Sequence, residues 1–211
     1  TYPAFRKTGI DLAPLGMGQR PETETYFCTP RGARIFGWAG VDGIHFCFIR
    51  GFGEMVFAVS PMNLAPHYVH PLARNFSDVL RLLLACGDSA ALEQAWQWKE
   101  EQFAAFLAEN PPTKEQQTVL DQIAAKTGLA PMEEPWQYLH ALQAGFDYSK
   151  IKYTEEFYDL DLNPDAPRPP AEWKVFFDGT SRGHSGRGRA GTELAVRADF
   201  RWAGRRWLIP S

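Results

Sequence analysis

Residues 33–59 read ARIFGWAGVDGIHFCFIRGFGEMVFAV. Three short runs within them, Ala33–Phe36, Ile44–Ile49 and Glu54–Val59, are rich in aromatic and β-branched side chains, and glycine-containing segments part them at close spacing. Such runs suit a pleated, buried surface, and this spacing predicts a meander of antiparallel strands. Tyr26-Phe27-Cys28 reads as one more strand of the same kind, so that 25–60 is β throughout.

Downstream the period changes from two to 3.6. Asn75 or Ser77 is placed to cap a helix through Val79–Leu84, and Gly87 to end it. A second helix is expected from Asp88 or Ser89, with Leu92, Ala95, Trp96, Phe103, Phe106 and Leu107 on one face, stopped by Asn110-Pro111-Pro112. Thr113-Lys114-Glu115-Gln116 has the spacing of a capping box and opens a third helix with Val119, Leu120 and Ile123 inward and Gly128 at its end. A short fourth helix is expected from Trp136 to Ala144. The chain then returns to β at Trp173–Phe177. Leu194, Val196, Ala198, Phe200 and Trp202 alternate along the next strand with mostly charged neighbours, and Ala203-Gly204 turns the chain into Arg205–Ile209.

Strands, then helices, then strands predict an α+β fold: a mainly antiparallel sheet with helices packed on one face. A single domain over 1–211 is expected. Residues 1–24, with Pro3, Pro14, Gly16, Gly18 and Pro21 and little periodicity, read as a loosely ordered lead-in.

With 211 residues, 45% of them apolar and 22% charged, the chain has enough apolar content for a core without disulfides, which excludes disordered, collagen-like and coiled-coil classes. No apolar run reaches the roughly 18 residues of a membrane helix. Thr1-Tyr2-Pro3 starts no basic-then-apolar leader. Cys28, Cys47 and Cys86 are an odd count without C-x-x-C spacing, which favours free buried thiols in a reducing cytoplasm over zinc or disulfides. The formal charge of −3 is asymmetric: residues 171–211 carry 8 Lys/Arg against 4 Asp/Glu, so the rest of the chain is acidic, which argues against a nucleic-acid binder.

Few segments offer chemistry. Gly186–Gly191 has the letters G-x-G-x-x-G, but a Ser/Gly loop precedes it and a strand pattern follows, the reverse of what a dinucleotide site needs. The wider loop 179–191, with Arg182, Arg187 and Arg189, has the donors for a small anion or a nucleotide, and a surface loop is the plainer reading. His67 and His70, between Pro66 and Pro71, lack a third metal ligand and read as loop histidines. His45 reads as a strand histidine with its hydrogen bonds satisfied. Adjacent acids such as Glu133-Glu134 and Glu155-Glu156 read as solvated surface. No nucleophile elbow, zinc-protease motif or P-loop occurs. No catalytic residue, metal or cofactor is expected. The stretch Tyr153, Glu155, Glu156, Phe157, Tyr158, Asp159 and Asp161 joins ring area to charge of one sign, a combination suited to steering and anchoring a basic protein partner.

The turn Phe36–Phe46, in which Gly40, Asp42 and Gly43 are the structural residues, leads into a strand; Met55–Met62 and then Asn75–Leu83 follow. This succession resembles the SUKH superfamily, which includes yeast cell-wall-synthesis regulators and many bacterial immunity proteins. The likeness covers roughly residues 33–84, about a quarter of the chain. It implies an α+β fold and a binding role without catalysis, and, as in bacterial members, a cytoplasmic protein that neutralises a polymorphic toxin by occlusion. The rival expectation is a small-anion or nucleotide binder, or an enzyme, built on 179–191.

Overall fold

The computed structural model describes residues 1–20 and 25–160. Its sheet forms where aromatic and branched runs meet glycine turns. Strands β1 (Ala33–Trp38), β2 (His45–Ile49) and β3 (Val56–Val59) pair antiparallel in chain order, and β4 (Val69–Ala73) adds beside β3. Cys47 sits opposite both Ile35 and Phe57, and bulges interrupt the ladders at Ile35/Gly37 and Val56/Phe57. The fold is α+β, with an antiparallel sheet as the sequence predicts.

The strands read as nearly continuous apolar runs because both faces of the sheet are covered. Phe46, Ala58 and Leu72 belong to one core, and Cys47, Ile49, Phe57, Val59 and Val69 to another. The first core is filled mainly by α2 (Phe76–Cys86), α3 (Ser89–Gln94), α4 (Glu100–Glu109), α5 (Lys114–Thr127) and α6 (Pro135–Ala144). Helix α2 starts at Asn75, whose Oδ1 accepts from the Asp78 amide at 3.0 Å, and ends at Gly87 with φ 87°. Phe76, Val79, Leu80 and Leu83, spaced three and four apart, are its buried stripe. The capping box of α5 is formed: the Gln116 amide donates to Thr113 Oγ1 at 3.2 Å, and the Thr113 amide to Gln116 Oε1 at 2.8 Å.

The second face is covered by a different part of the chain. Ile151, Tyr153 and the short helix α7 (Glu155–Asp159) lie over it with the Tyr26–Cys28 segment. Phe157 stacks on Tyr153 with ring centroids 3.9 Å apart and meets Tyr68 edge-on at 5.9 Å. The helices α2–α6 do keep to one face, while α7 belongs to the other.

Four local expectations are corrected. Tyr26–Cys28 is a turn: Thr29 closes it, its amide donating to Tyr26 O at 2.8 Å and its Oγ1 accepting from the Tyr26 amide at 2.8 Å. The lead-in is packed over 1–20, because Phe5, Leu12, Leu15 and Met17 are buried. It carries α1 (Tyr2–Arg6), and Tyr2 and Phe5 reach the Phe76 ring at 4.9 and 5.3 Å. The long second helix is broken. Trp98 is extended, the Lys99 amide donates to Gln102 Oε1 at 2.9 Å, and Trp136 Nε1 donates to Trp98 O at 3.1 Å, so that α4 starts afresh at Glu100. His70 lies in β4 rather than in a loop; Pro71 is tolerated there because β4 ends the described sheet. The strands expected at 173–177, 193–202 and 205–209, the loop 179–191 and Asp161 lie outside the described residues. No helix among the described residues is long and apolar enough to cross a membrane.

Candidate functional site

Helix α7 carries the acidic stretch singled out in the sequence. Glu155, Glu156 and Asp159 are exposed, whereas Phe157 and Tyr158 are buried and Tyr153 is partly buried. A helix of this length has too few internal hydrogen bonds to persist alone, so its rings hold it on the sheet and its carboxylates face water. Phe157 and Tyr158 are therefore core residues and not accessible anchors, a correction to the sequence reading. Burial raises the Tyr153 phenol, with the neighbouring Cys28, Tyr158, Tyr68 and Tyr148 adding to the effect. The carboxylates accordingly form a surface whose position is fixed by the core beneath.

A second group lies at the end of the sheet where the β1–β2 turn meets α3. Gly40 and Gly43 have φ of 88° and 69°, and Asp42 between them has φ 54°, a left-handed conformation that Asp tolerates better than most residues. His45 supports the turn. Its Nδ1–H donates to Gly43 O at 2.7 Å, which leaves Nε2 to accept from Thr29 Oγ1 at 3.2 Å; burial lowers its pKa. It is a strand histidine with both nitrogens satisfied, as the sequence reading has it. Beside the turn, Glu93 is buried at 6% exposure. Loss of solvation pushes its carboxyl up to about 7; the Ser60 hydroxyl opposes this by hydrogen bonding, and Asp42 adds to it by repulsion.

The third group is a ring stack. His67 and His70 lie side by side with centroids 5.6 Å apart, and each is nearly parallel to the Trp96 indole, at 4.3 and 4.8 Å. His70 Nδ1 is 3.1 Å from the Tyr148 hydroxyl, while His70 Nε2 and Trp96 Nε1 are buried without a hydrogen-bond partner. Burial, with His67 adding to it, lowers His70 to about 4. His70 is therefore neutral in the neutral pH range.

The remaining candidates among the described residues are the thiols and one groove. The three thiols are free and buried; burial raises Cys28 and Cys86 to about 12 and Cys47 further, so none is a poised nucleophile. No group of three or more His, Cys, Asp or Glu able to hold a metal ion occurs among the described residues. A groove of about 300 Å³ between α2 and α5 is lined by Leu84, Cys86, Leu107, Leu120 and Ala124, with Gln117 and Asp121 hydrogen-bonded to each other at its rim. It brings no acid, base and nucleophile together.

The chain matches no family model, no curated protein and no solved structure.

Sequence reasoning missed Glu93, the Trp96 stack and Tyr148. Glu93 had one usable signal, an acid between Leu92 and Ala95 on an otherwise apolar face. The stack had none, because Trp96 and His67 meet only through the tertiary fold.

Proposed function

We propose that this protein is a non-catalytic, cytoplasmic protein-binding domain of the immunity type, which neutralises a basic toxin domain by covering its active surface. The observation that carries the reading is α7: three carboxylates held toward solvent on a helix pinned by buried rings. A negative field fixed in place suits capture of a basic surface and spares the cost of ordering the backbone on contact. The likeness of residues 33–84 to SUKH proteins supports the same role.

The test is surface plasmon resonance against a panel of basic polymorphic-toxin domains. Glu155→Gln/Glu156→Gln/Asp159→Asn is expected to slow association roughly tenfold at low ionic strength. The difference should shrink as salt approaches about 0.15 M, where the Debye length is about 8 Å, with dissociation little changed. Unchanged association in a folded triple variant would remove α7 from the binding surface.

A further inference from the structure

An acidic face steers a partner, but retention needs desolvated apolar or aromatic anchors. With Phe157 and Tyr158 in the core, the only large apolar side chain exposed at α7 is Leu160, just past its C-terminal end, at 50% exposure. Among the described residues the other substantially exposed large apolar side chains are Met62 at 52%, Leu64 at 83% and Tyr148 at 38%. The loop that bears Met62 and Leu64 is joined to Tyr148 through His67 and His70.

Met62 and Leu64 stand on the β3–β4 loop, and the loop is shaped by its own hydrogen bonds. The Asn63 amide donates to Ser60 O at 3.2 Å, the His67 amide to Leu64 O at 2.8 Å, and Asn63 Nδ2 to His67 O at 2.8 Å. His67, at the end of the loop, joins the stack with Trp96 and His70, and His70 reaches the Tyr148 hydroxyl at 3.1 Å. Tyr68, next to His67, meets Phe157 of α7 edge-on at 5.9 Å. A chain of contacts thus links the apolar loop to the acidic helix. Single exposed apolar residues need no explanation, but a shaped loop that displays two of them beside an exposed tyrosine has the character of an interface core.

The charge beside it selects the occupant. Asp147, Glu155, Glu156 and Asp159 are exposed along this segment. Asp147 pairs with Lys150 at 3.7 Å, so the acidic excess of this segment lies on α7, where Glu155, Glu156 and Asp159 stand against Lys152. We propose that Met62, Leu64 and Tyr148 form the apolar centre of a docking surface rimmed by α7. Its occupant is a protein segment with a bulky apolar side chain flanked by Lys or Arg. This rests on the reading of α7 as a partner-facing surface, and it supplies the anchor which that surface lacks.

The experiment pans a random dodecapeptide display library on the full chain. The selected peptides are then synthesised and titrated by fluorescence anisotropy. Three proteins are compared: wild type, Met62→Ser/Leu64→Ser, and the α7 triple variant. The expected result is selection of apolar residues flanked by Lys or Arg, with affinity falling at least tenfold in the Ser double variant while its melting temperature is unchanged. Selected peptides without basic residues, no selection at all, or equal affinity for the Ser double variant would overturn the proposal. So would a wild-type dimer that becomes monomeric in the double variant, because the occupant would then be a second copy. Loss of binding only in the triple variant would leave α7 as the surface and remove the loop; loss only in the Ser double variant would keep the loop and remove α7.

Discussion

Glu93→Gln is expected to stabilise the protein by about 3 kcal/mol at pH 8 and to leave it unchanged near pH 4. Burial raises the Glu93 carboxyl from its ordinary 4.5 to about 7. Below pH 4.5 the group is protonated in both folded and unfolded chains and has no effect on stability. As pH rises from 4.5 through 7 the unfolded chain loses its proton first, so stability falls, and above 7 the full difference applies. At about 1.4 kcal/mol for each tenfold change in proton affinity, that difference is about 3 kcal/mol. His70 works in the opposite sense. Its pKa is lowered from 6.5 to about 4, so stability is full above 6.5 and declines as pH falls toward 4. Between pH 4.5 and 6.5 the two slopes are nearly equal and opposed, and the wild type conceals both. Urea unfolding from pH 4 to 8 separates them. Glu93→Gln should show the His70 decline on the acid side, and His70→Gln the Glu93 decline on the alkaline side. Parallel curves for wild type and both variants would mean that neither group is buried as described.

Gly43→Val is the second large effect, expected to cost about 2–6 kcal/mol. Gly43 has φ 69°, and strain of about 1–3 kcal/mol follows from placing a β-branched residue there. In addition, a Cβ at this position would run into the Tyr26 ring, 2.7 Å from Cε1, and overpacking adds about 1–3 kcal/mol. Gly40 supplies the control. Its φ of 88° carries the strain, but nothing lies within 4 Å of its Cβ position, so Gly40→Val should cost about 1–3 kcal/mol. Chemical denaturation of the two variants measures the gap between them. Equal losses would mean that Tyr26 swings aside without penalty.

The contrast between these two glycines also marks how far the sequence could be read. That both needed left-handed freedom was legible from the Gly-Val-Asp-Gly turn, because positive φ is a local demand. That only Gly43 lies under Tyr26 was not, since the partner comes from a turn that the sequence reading took for a strand. The same division holds elsewhere. Asn75, Thr113, Gly87 and Gly128 announced their helix ends, because capping is settled within a few residues. The break at Trp98 was hidden, because the Trp136 indole that binds its carbonyl comes from α6. Strand β4 was obscured by Pro66 and Pro71, residues that demote a strand unless it lies at an edge. For the candidate site, the acidic character of residues 155–159 was plain. The side of the helix on which the rings fall depended on the opposite face of the sheet, and no spacing within 153–161 encodes that.

Covering the second sheet face with residues 151–158 also fixes the order in which the protein is finished. Ribosomal synthesis releases β1–β4 and their first helical partners long before Ile151, Phe157 and Tyr158 emerge. Until then Cys47, Ile49, Phe57, Val59 and Val69 are covered only in part, by earlier residues such as Phe27 and Phe52. The segment that completes the cover must close a loop spanning most of the described residues, and such distant closures are slow and leave intermediates prone to association. A chain released early, for instance at a stop codon after Gly145, would keep its helical half and leave that sheet face partly uncovered permanently. Such a product is a natural client for chaperones and proteases, so premature termination in this gene should yield little protein rather than a shortened, working one.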